Sequence, residues 1–366
     1  MTVYLINYFL IIIAYYSVSP RTIGMVQENQ FDALPFARSK RVCVVAAINA
    51  IILSTFRDWS VGADTRSYLY TFNEINNYSW EKILGLFNEK YVIGSFDGDP
   101  GYYLVTKVFQ CFSTNYQWWL LFMAVAFTVP FAFFVMKYSS DALISWVMYF
   151  ALFFGFFGTT GMRQTLACSV AFFVSLPLIK EKKIIYFIIS VILASTLHHS
   201  CLIFLPMFFI SKVKFNRVIN YIYWVLIILA FIAKDKVFAI MNAVGANGKY
   251  GYYEGAGAPT FTFFLLCISI LLTLFREKIV DNKEFSINFS AHATMLAMMF
   301  SPLLLIDPSL MRIVMYFSFF LIILLPEFTN IFTEKSKGIF KVIVIVVLMF
   351  LALRTSEYQF GEFLLF

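Results

Sequence analysis

Two arginines and two aspartates lie close together around a glycine in the segment 57–66, namely Arg57, Asp58, Asp64 and Arg66. Guanidinium groups bind phosphate oxygens through paired hydrogen bonds, so this spacing predicts one wall of a site for a phosphate or pyrophosphate. Asp64 adds a carboxylate that is available for proton transfer. A solvated loop whose charges neutralise one another explains the same composition equally well.

A further aspartate, Asp99, directly precedes Pro100, Gly101 and Tyr102. Proline at the first position of a helix, with an aspartate just before it, is typical of a helix start, so capping is the simplest prediction for Asp99. A carboxylate is also a general base that can accept the proton of a sugar hydroxyl. Asp99 is therefore a candidate catalytic residue, and Tyr102 is a candidate contact beside it.

The segment 158–164, Gly-Thr-Thr-Gly-Met-Arg-Gln, opens a long apolar helix. Glycine lets a ligand or another backbone approach closely, and the start of a helix attracts anions. Arg163 adds a full positive charge at this position, and Gln164 adds an amide. A snorkelling arginine at a helix end explains Arg163 but leaves the two glycines unexplained.

His198 and His199 interrupt an apolar stretch that otherwise runs from 184 to 211. Polar side chains at membrane depth usually mark a site, and a neutral imidazole can act as a general base or orient a hydroxyl. The alternative is a pair of satisfied histidines at the membrane interface. Adjacent helical residues point about 100° apart, and the sequence has no metal-binding motif, so we predict no metal and no cofactor.

Two more segments carry polar groups between apolar runs. Asp307 and Arg312 flank another helix start and form either a local ion pair or part of an anion site. The segment 234–259 is rich in glycine and contains Tyr253 among several tyrosines. Because tyrosines stack on sugar rings and glycines give mobility, this segment is a candidate gate; a simple flexible connector is the alternative.

The overall composition indicates where these residues must work. Of the 366 residues, 61% are hydrophobic and 13% are charged, and the mean hydropathy is +0.79. Soluble domains carry about 25% charged residues. This chain therefore lacks the polar groups to cover a globule, whereas a bilayer requires no such cover. We predict an all-α, polytopic integral membrane protein with about 11–13 transmembrane or re-entrant helices.

Apolar runs bounded by charges or turn residues predict where the helices lie. The predicted positions are about 2–19, 41–56, 117–137, 141–158, 162–180, 184–197, 199–211, 217–233, 260–275, 289–306, 311–326 and 338–353. Residues 101–113 are too short and too polar for a span and predict a re-entrant or interfacial helix. Residues 1–366 are thus predicted to form a single transmembrane domain, with extracytoplasmic loops at about 57–100 and 234–259.

The distribution of positive charge predicts the orientation. When the spans alternate, most lysines and arginines gather on one side, in clusters at 38–41, 180–183, 212–217, 276–283 and 335–341. Short basic loops face the cytoplasm. This pattern accounts for most of the net charge of +7, so we predict no nucleic-acid partner. Arg57, Arg163, His198 and Arg312 then converge on the extracytoplasmic side.

Several of these motifs together resemble the EpsG family. The resemblance is carried by Arg57 followed by Val61-Gly62-x-Asp64-Thr65 and Tyr68, by Asp99-Pro100-Gly101-Tyr102, by Gly161-Met162-Arg163-Gln164 with Ala167, by His198-x-Ser200, and by Arg312 followed by Tyr316. It covers about 57–316, with the motifs in the family's order. The chain departs from the pattern at Asp99, where many members carry a glutamate, and this puts the proton-transfer role of that position in question.

The resemblance implies a polysaccharide polymerase of the Wzy type, which assembles O-antigen, capsule or exopolysaccharide. Such an enzyme joins oligosaccharide repeat units that are linked to undecaprenyl pyrophosphate, on the periplasmic face of the inner membrane. The implied partners are the lipid-linked glycan donor and acceptor, membrane lipid and a chain-length regulator. No cofactor is implied, because the donor is already activated.

The resemblance also suggests roles for individual residues. Arg57, Arg163 and Arg312 are predicted to bind the pyrophosphate, because stabilising the charge of the leaving group should be the largest catalytic contribution. Asp64, Asp99 and His198 are predicted to activate or position the acceptor. The further candidates are Arg66, Gln164, His199, Tyr102 and Tyr253.

Three other functions remain as alternatives. An O-antigen ligase or another lipid-linked glycosyltransferase would use the same cations on the same face and differ mainly in its acceptor. A flippase or transporter would need a continuous polar path with charges at mid-helix, whereas the charges here lie at helix ends. A membrane acyltransferase would use a histidine but would leave the three arginines unexplained.

Overall fold

The computed structural model describes residues 2–18, 30–58, 60–62, 64–244, 257–281 and 283–352. Within these ranges the chain is helical and contains no strand, which confirms the all-α class. The helices are α1 Thr2–Tyr16, α2 Gln30–Thr55, α3 Thr65–Asn76, α4 Trp80–Asn88, α5 Pro100–Gln110, α6 Tyr116–Tyr138, α7 Ala142–Met148, α8 Met162–Lys180, α9 Ile184–Leu197, α10 Met207–Ile210, α11 Arg217–Val244, α12 Pro259–Leu274, α13 Arg276–Ile279, α14 Phe285–Phe300, α15 Met311–Ser318, α16 Leu321–Glu327 and α17 Glu334–Ala352.

Several helices are apolar enough to cross a membrane, as a polytopic protein requires. Over the described ranges, three segments have the length and hydropathy of a transmembrane helix, namely α6, α8 and the run Phe285–Leu305. A fourth candidate is the helix pair Pro308–Ser318 and Leu321–Ile331, which is bent by 60°. Five shorter apolar helices accompany them. The chain is therefore a helical membrane protein.

Most predicted helix positions agree with the structure, and the differences are local. The helices predicted at 162–180 and 184–197 have these bounds in α8 and α9. α2 begins at Gln30 rather than near 41, and α11 continues to Val244 rather than ending near 233. The predicted loop 57–100 contains α3 and α4, so much of it is helical. The prediction of a single transmembrane domain stays a prediction.

The chain divides into two compact units, the first comprising residues 1–202 and 338–366 and the second 203–337. In the first unit, aromatic rings fill the space between α6 and α7. The Phe131 ring lies 4.6 Å from both the Trp146 and the Tyr149 rings, and all three side chains are buried. These helices carry few polar groups, and lipid is as apolar as their side chains, so apolar burial alone would not hold them together. The ring contacts instead give them a specific packing.

Two π-helical turns follow α7 without a break, at Tyr149–Phe153 and Gly155–Thr160. π-helical turns are rare and are found most often near functional sites. The second turn ends at Gly161, whose N–H donates to the Phe156 carbonyl oxygen at 2.8 Å. α8 begins at the next residue, so this run sets the position of Arg163.

At the other end of the 142–160 run, a buried ion pair joins distant parts of the first unit. Lys341 of α17 donates to Asp141 Oδ2 at 2.6 Å, and its Nζ lies 3.8 Å from the centroid of the Tyr15 ring. Asp141 also caps α7, because its Oδ1 accepts from the Leu143 and Ile144 N–H groups. α17 is thereby fixed to α1 and α7.

The second unit has its own polar contacts. His292 of α14 is buried, with Nδ1 2.9 Å from the Tyr223 hydroxyl and Nε2 2.8 Å from the Val213 carbonyl oxygen. Lys283 forms an ion pair with Glu327 at 3.2 Å. The third histidine of the chain is therefore a satisfied buried residue of this unit.

Candidate active site

Asp99 lies directly before α5, as the Pro-Gly signal predicted, but its side chain does not cap the helix. Oδ2 accepts from Arg163 NH1 at 3.1 Å and lies 3.1 Å from His198 Nδ1, while Oδ1 accepts from the His199 backbone N–H at 3.1 Å. The capping interpretation of the Asp99 side chain is therefore wrong. The carboxylate instead connects its own segment with two others, which lie 64 and 99 residues further along the sequence.

Helix direction explains why these residues meet. α8 and α9 are consecutive and joined by a short turn at Glu181–Lys183, so the start of α8 and the end of α9 lie at the same end of the pair. Arg163 is the second residue of α8, and His198 follows the last residue of α9. Two sequence motifs 35 residues apart therefore face one carboxylate.

Gly101 permits the close approach of α5 to α9. A Cβ atom at this position would lie 2.2 Å from Thr196 Oγ1 and 2.7 Å from the Thr196 carbonyl carbon. Backbone cannot move away as a flexible side chain can, so any larger residue would push the two helices apart. This contact fixes Asp99, two residues earlier, next to the histidines.

The cluster combines a buried anion with a more accessible cation. The Asp99 side chain is 4% exposed and that of Arg163 is 31% exposed. Burial alone would raise the pKa of Asp99, but the hydrogen bond and charge of His198, the charge of Arg163 and the His199 N–H together lower it. Asp99 is therefore ionised at neutral pH.

The Arg163 guanidinium contacts Tyr68 as well as Asp99, and within the described part of the chain one of its donors has no acceptor. Its Nε–H is buried and has no acceptor among the described residues. The guanidinium carbon lies 5.9 Å from the centroid of the Tyr68 ring, which orients the group by a cation–π contact. The Tyr68 ring in turn lies 5.9 Å from that of Tyr102, which is buried against Trp119. One wall of the site is thus aromatic and rigid.

The first motif packs against the glycine-rich turn. Gly62 has φ +95°, and a Cβ there would lie 2.8 Å from the Thr159 carbonyl oxygen. Thr65 Oγ1 donates to the Val61 carbonyl oxygen at 2.7 Å and lies 3.1 Å from that of Thr159. Glycine is therefore required at position 62 both for its conformation and for its close contact.

Arg57 lies deeper than a surface clamp would. Its NH1 donates to the Ser54 carbonyl oxygen, and Ser54 Oγ donates to the Gly158 carbonyl oxygen at 2.5 Å. The side chain is buried and lines a cavity of about 10 Å³, enough for one water molecule, with Thr128 and Thr165. Arg57 thus supports the turn before Arg163, and its role as a pyrophosphate ligand stays a prediction.

The remaining predicted residues lie in several environments. Asp64 is partly buried before α3, Arg66 is exposed on α3, and Gln164 is buried on α8. Arg312 is exposed on α15 of the second unit, so its meeting with Arg163 stays a prediction. Tyr253 lies outside the described residues, as does most of the predicted loop 234–259.

One cation near the site was not predicted from the sequence. Lys90 lies in a π-helical turn, Glu89–Ile93, that continues α4, and its charge acts on the His199 imidazole. The sequence gives no signal for this proximity, because it depends on how α4 and α5 fold together. Among the described residues, no three histidine, cysteine or acidic side chains are arranged to hold a metal ion.

Comparison with known proteins supports the resemblance noted in the sequence. No curated protein and no solved structure matches this chain. The sequence model of the EpsG family matches residues 40–364, which include every motif described above. By this match over most of its length, the chain belongs to the EpsG family.

Proposed function

We propose that this protein is a polysaccharide polymerase that joins undecaprenyl-pyrophosphate-linked repeat units on the extracytoplasmic face of the membrane. Family membership supports a polymerase role in polysaccharide biosynthesis. In the proposed step, an acceptor sugar hydroxyl attacks the anomeric carbon of the donor glycan. A C–O bond forms there, the bond to the pyrophosphate oxygen breaks, and the pyrophosphate keeps the electron pair while the hydroxyl proton passes to the protein.

The observation that carries this proposal is the contact of one buried carboxylate with both Arg163 and His198. Both Asp99 contacts are 3.1 Å long, and both partners come from the same end of the α8–α9 pair. An anion-stabilising group and a proton acceptor are thereby held side by side. Transfer of a glycan from a pyrophosphate needs these two functions together.

Arg163 suits the stabilisation of the leaving pyrophosphate. Its guanidinium is partly exposed, its orientation is held by Asp99 and Tyr68, and its Nε–H has no acceptor among the described residues. A donor that is oriented before the reaction does not have to reorganise when negative charge develops on the leaving oxygen. Arg163 therefore acts as the cation that stabilises the departing group.

His198 suits proton acceptance, with Asp99 as its positioning partner. Because ionised Asp99 can only accept hydrogen bonds, its contact holds a proton on Nδ1, and when the imidazole is neutral, as a proton acceptor must be, the lone pair lies on Nε2. Nε2 makes no hydrogen bond within the described part of the chain. Asp99 itself is buried and fully engaged, so it does not reach the acceptor hydroxyl. We therefore assign proton acceptance to His198 and the positioning of its imidazole to Asp99.

The orientation of the helices supports an extracytoplasmic site. α8 runs from Met162 to Lys180 with Arg163 in its first turn, and the basic residues Lys180, Lys182 and Lys183 lie in or next to the turn at its opposite end. Such a short basic turn faces the cytoplasm. By this rule the end that carries Asp99 lies on the extracytoplasmic side, which is the side on which the proposed function requires the repeat units to be joined.

Deletion of the gene followed by gel analysis of surface polysaccharide tests this function. A polymerase mutant should carry a single repeat unit in place of a ladder. The purified protein, given the lipid-linked repeat unit, should make a ladder of lipid-linked products. Transfer to lipid A core instead would identify a ligase, and loss of all surface sugar with no product in vitro would favour a flippase.

A further inference from the structure

The segment between α2 and α5 exposes an apolar surface beside the site. α4 buries Ile83 and Leu86 and exposes Trp80 and Leu84 on its other side. The π-helical turn that follows exposes three consecutive large side chains, those of Tyr91, Val92 and Ile93, and Val92 is 78% exposed. A water-facing loop would not carry five such side chains together, so this surface requires an apolar partner.

The position of the segment in the chain indicates what that partner is. The segment follows α2, which ends at Thr55, and α5 then leads from it to the candidate span α6, which begins at Tyr116. A segment that leads into a span is expected close to the surface of the bilayer. Tryptophan, tyrosine and lysine beside exposed aliphatic side chains are typical of a helix that lies in the lipid interface. Lys82 and Lys90 supply the basic part of this pattern.

The same surface is continuous with the candidate active site. The Ser95 N–H donates to the Glu89 carbonyl oxygen at 2.9 Å and closes the π-helical turn. Phe96 lies three residues before Asp99 in the sequence. Its ring packs on the Tyr103 ring of α5, with 5.2 Å between the ring centroids. Burial and the Asp99 charge both raise the pKa of Tyr91, which shows that the turn lies within electrostatic range of the carboxylate.

Of the two lysines in this segment, Lys90 is the one whose ammonium group is not engaged by a neighbouring side chain. Lys82 covers the Tyr78 ring, with Nζ 3.8 Å from the centroid. On α5, which follows the segment, Lys107 donates to the carbonyl oxygens of Ile75 and Asn76. Over the described ranges, Lys90 makes no ion pair and no hydrogen bond. It is partly buried, and its charge reaches His199.

We propose that α4 and the turn 89–93 lie in the outer lipid interface, and that Lys90 binds the pyrophosphate of a lipid-linked substrate as it passes from the bilayer to Arg163. This inference rests on the proposed function for its ligand. A lipid-linked pyrophosphate carries its charge at the height of the headgroups, where Lys90 is held by the apolar residues that follow it. Lys90 is thus an entry-site ligand, and Arg163 is the ligand of the reacting state.

The depth of the turn can be measured on the full-length protein in lipid nanodiscs. Val92→Cys is labelled with an environment-sensitive fluorophore in a Cys111→Ser background, because Cys111 is the exposed native cysteine among the described residues. Asn77→Cys, on the exposed turn between α3 and α4, is the control. Spin-labelled lipids should quench the label at 92 several-fold more than at 77. Equal quenching at both positions would overturn the interfacial location, and blue-shifted emission without lipid quenching would assign the surface to a protein partner instead.

The role of Lys90 is tested by matched lysine variants. Lys90→Ala should raise the KM for the lipid-linked repeat unit about tenfold and leave kcat within about twofold, because one charge-assisted contact is lost before the chemical step. Lys90→Arg should restore most of the affinity. Lys82→Ala, on the same helix, should leave both constants unchanged. A wild-type KM for Lys90→Ala would overturn the assignment.

Direct binding separates this inference from the proposed function. Undecaprenyl pyrophosphate in nanodiscs should bind the wild-type protein about tenfold more tightly than it binds Lys90→Ala, whereas inorganic pyrophosphate should bind both weakly. Equal affinity of both proteins for the lipid would reject the role of Lys90 even if polymer is made. If binding of the lipid depends on Lys90 but the protein makes no polymer, the entry site is supported and the polymerase function is rejected.

Discussion

Two aspartates in the first unit, Asp99 and Asp141, are each held by a basic side chain, yet their surroundings differ. Asp141 and Lys341 are both largely buried, at 17% and 11% exposed, and the lysine is closed off further by Tyr15. Asp99 is more deeply buried than Asp141, but its partner Arg163 is 31% exposed, and His199 beside it is mostly exposed.

This difference indicates what each carboxylate is for. The Asp141–Lys341 pair satisfies its own charges and caps a helix, so it has little left to offer a ligand. The cation that neutralises the Asp99 carboxylate is partly exposed, so we expect that an anion can bind to it without breaking the cluster. An ion pair that is closed on all sides stabilises the fold, whereas one that is open on the cationic side can act on a substrate. The following predictions test this distinction.

Arg163→Ala should have the largest effect. We expect turnover to fall by roughly 100- to 1,000-fold, as on loss of one preorganised donor to a developing anion, while the amount of protein in the membrane stays near normal. Arg163→Lys should restore little, since an ammonium lacks the planar set of donors. The rate per folded molecule in a purified polymerisation assay measures this. Near-normal turnover in both variants would remove Arg163 from the site.

Asp99→Asn should reduce turnover by roughly 100-fold, because an amide no longer fixes the His198 proton on Nδ1 and cannot neutralise Arg163. Asp99→Glu keeps the carboxylate and should restore part of the activity. A structural role alone would lower the thermal midpoint but leave the pH–rate profile unchanged. The profile of Asp99→Asn should instead shift, since the proton-accepting group loses its carboxylate partner.

Lys341→Met should show the opposite behaviour to Arg163→Ala. Removing one partner of a buried ion pair costs about 3 kcal/mol, so the midpoint of thermal unfolding in detergent should fall clearly, while turnover per folded molecule stays near wild type. The double variant Asp141→Leu with Lys341→Met should recover part of the loss but not the helix cap. Loss of turnover without loss of stability would show that this end of the unit also takes part in function.

Acidification should have the smallest effect in the working pH range. The folded pKa of Asp99 is lower than its ordinary value of 3.8. Its contacts therefore stabilise the fold fully above pH 3.8 and are lost only as the pH falls through the lower folded value. Unfolding midpoints of the wild type and Asp99→Asn, measured between neutral pH and pH 3, should converge only at the acidic end. Convergence near neutral pH would mean that Asp99 is not held as the anion.

The sequence predicted the fold well wherever hydrophobicity alone decides it. The bounds of α8 and α9 followed from apolar runs ending at Lys180 and His198, since charge and imidazole cannot continue a span. It missed the helices inside 57–100, because α3 and α4 are amphipathic and bury only one face. Their pattern is weaker than that of a span, and it was hidden by the charges of the Arg57 motif.

The candidate site was predicted residue by residue but not as an arrangement. Arg163, His198 and Asp99 were each selected for their chemistry, and each also had a plausible structural explanation. Only the crossing of α5 over α9 at Gly101 brings the three together, and a single sequence contains no information on that crossing. Arg57 shows the limit of predicting a role from residue type alone. A guanidinium suggested a phosphate clamp, but the side chain is buried, and its burial depends on its packing with Ser54 and Gly158.

The bond between Asp141 and Lys341 has a consequence for biosynthesis. Its two residues are 200 positions apart, and the whole second unit lies between them in the chain. At a translation rate of about 5–20 residues per second, the lysine emerges roughly 10–40 s after the aspartate. For that interval the nascent first unit must keep a carboxylate at the membrane without its cation. Assembly of this unit is therefore complete only when α17 has been made and has returned to α1 and α7.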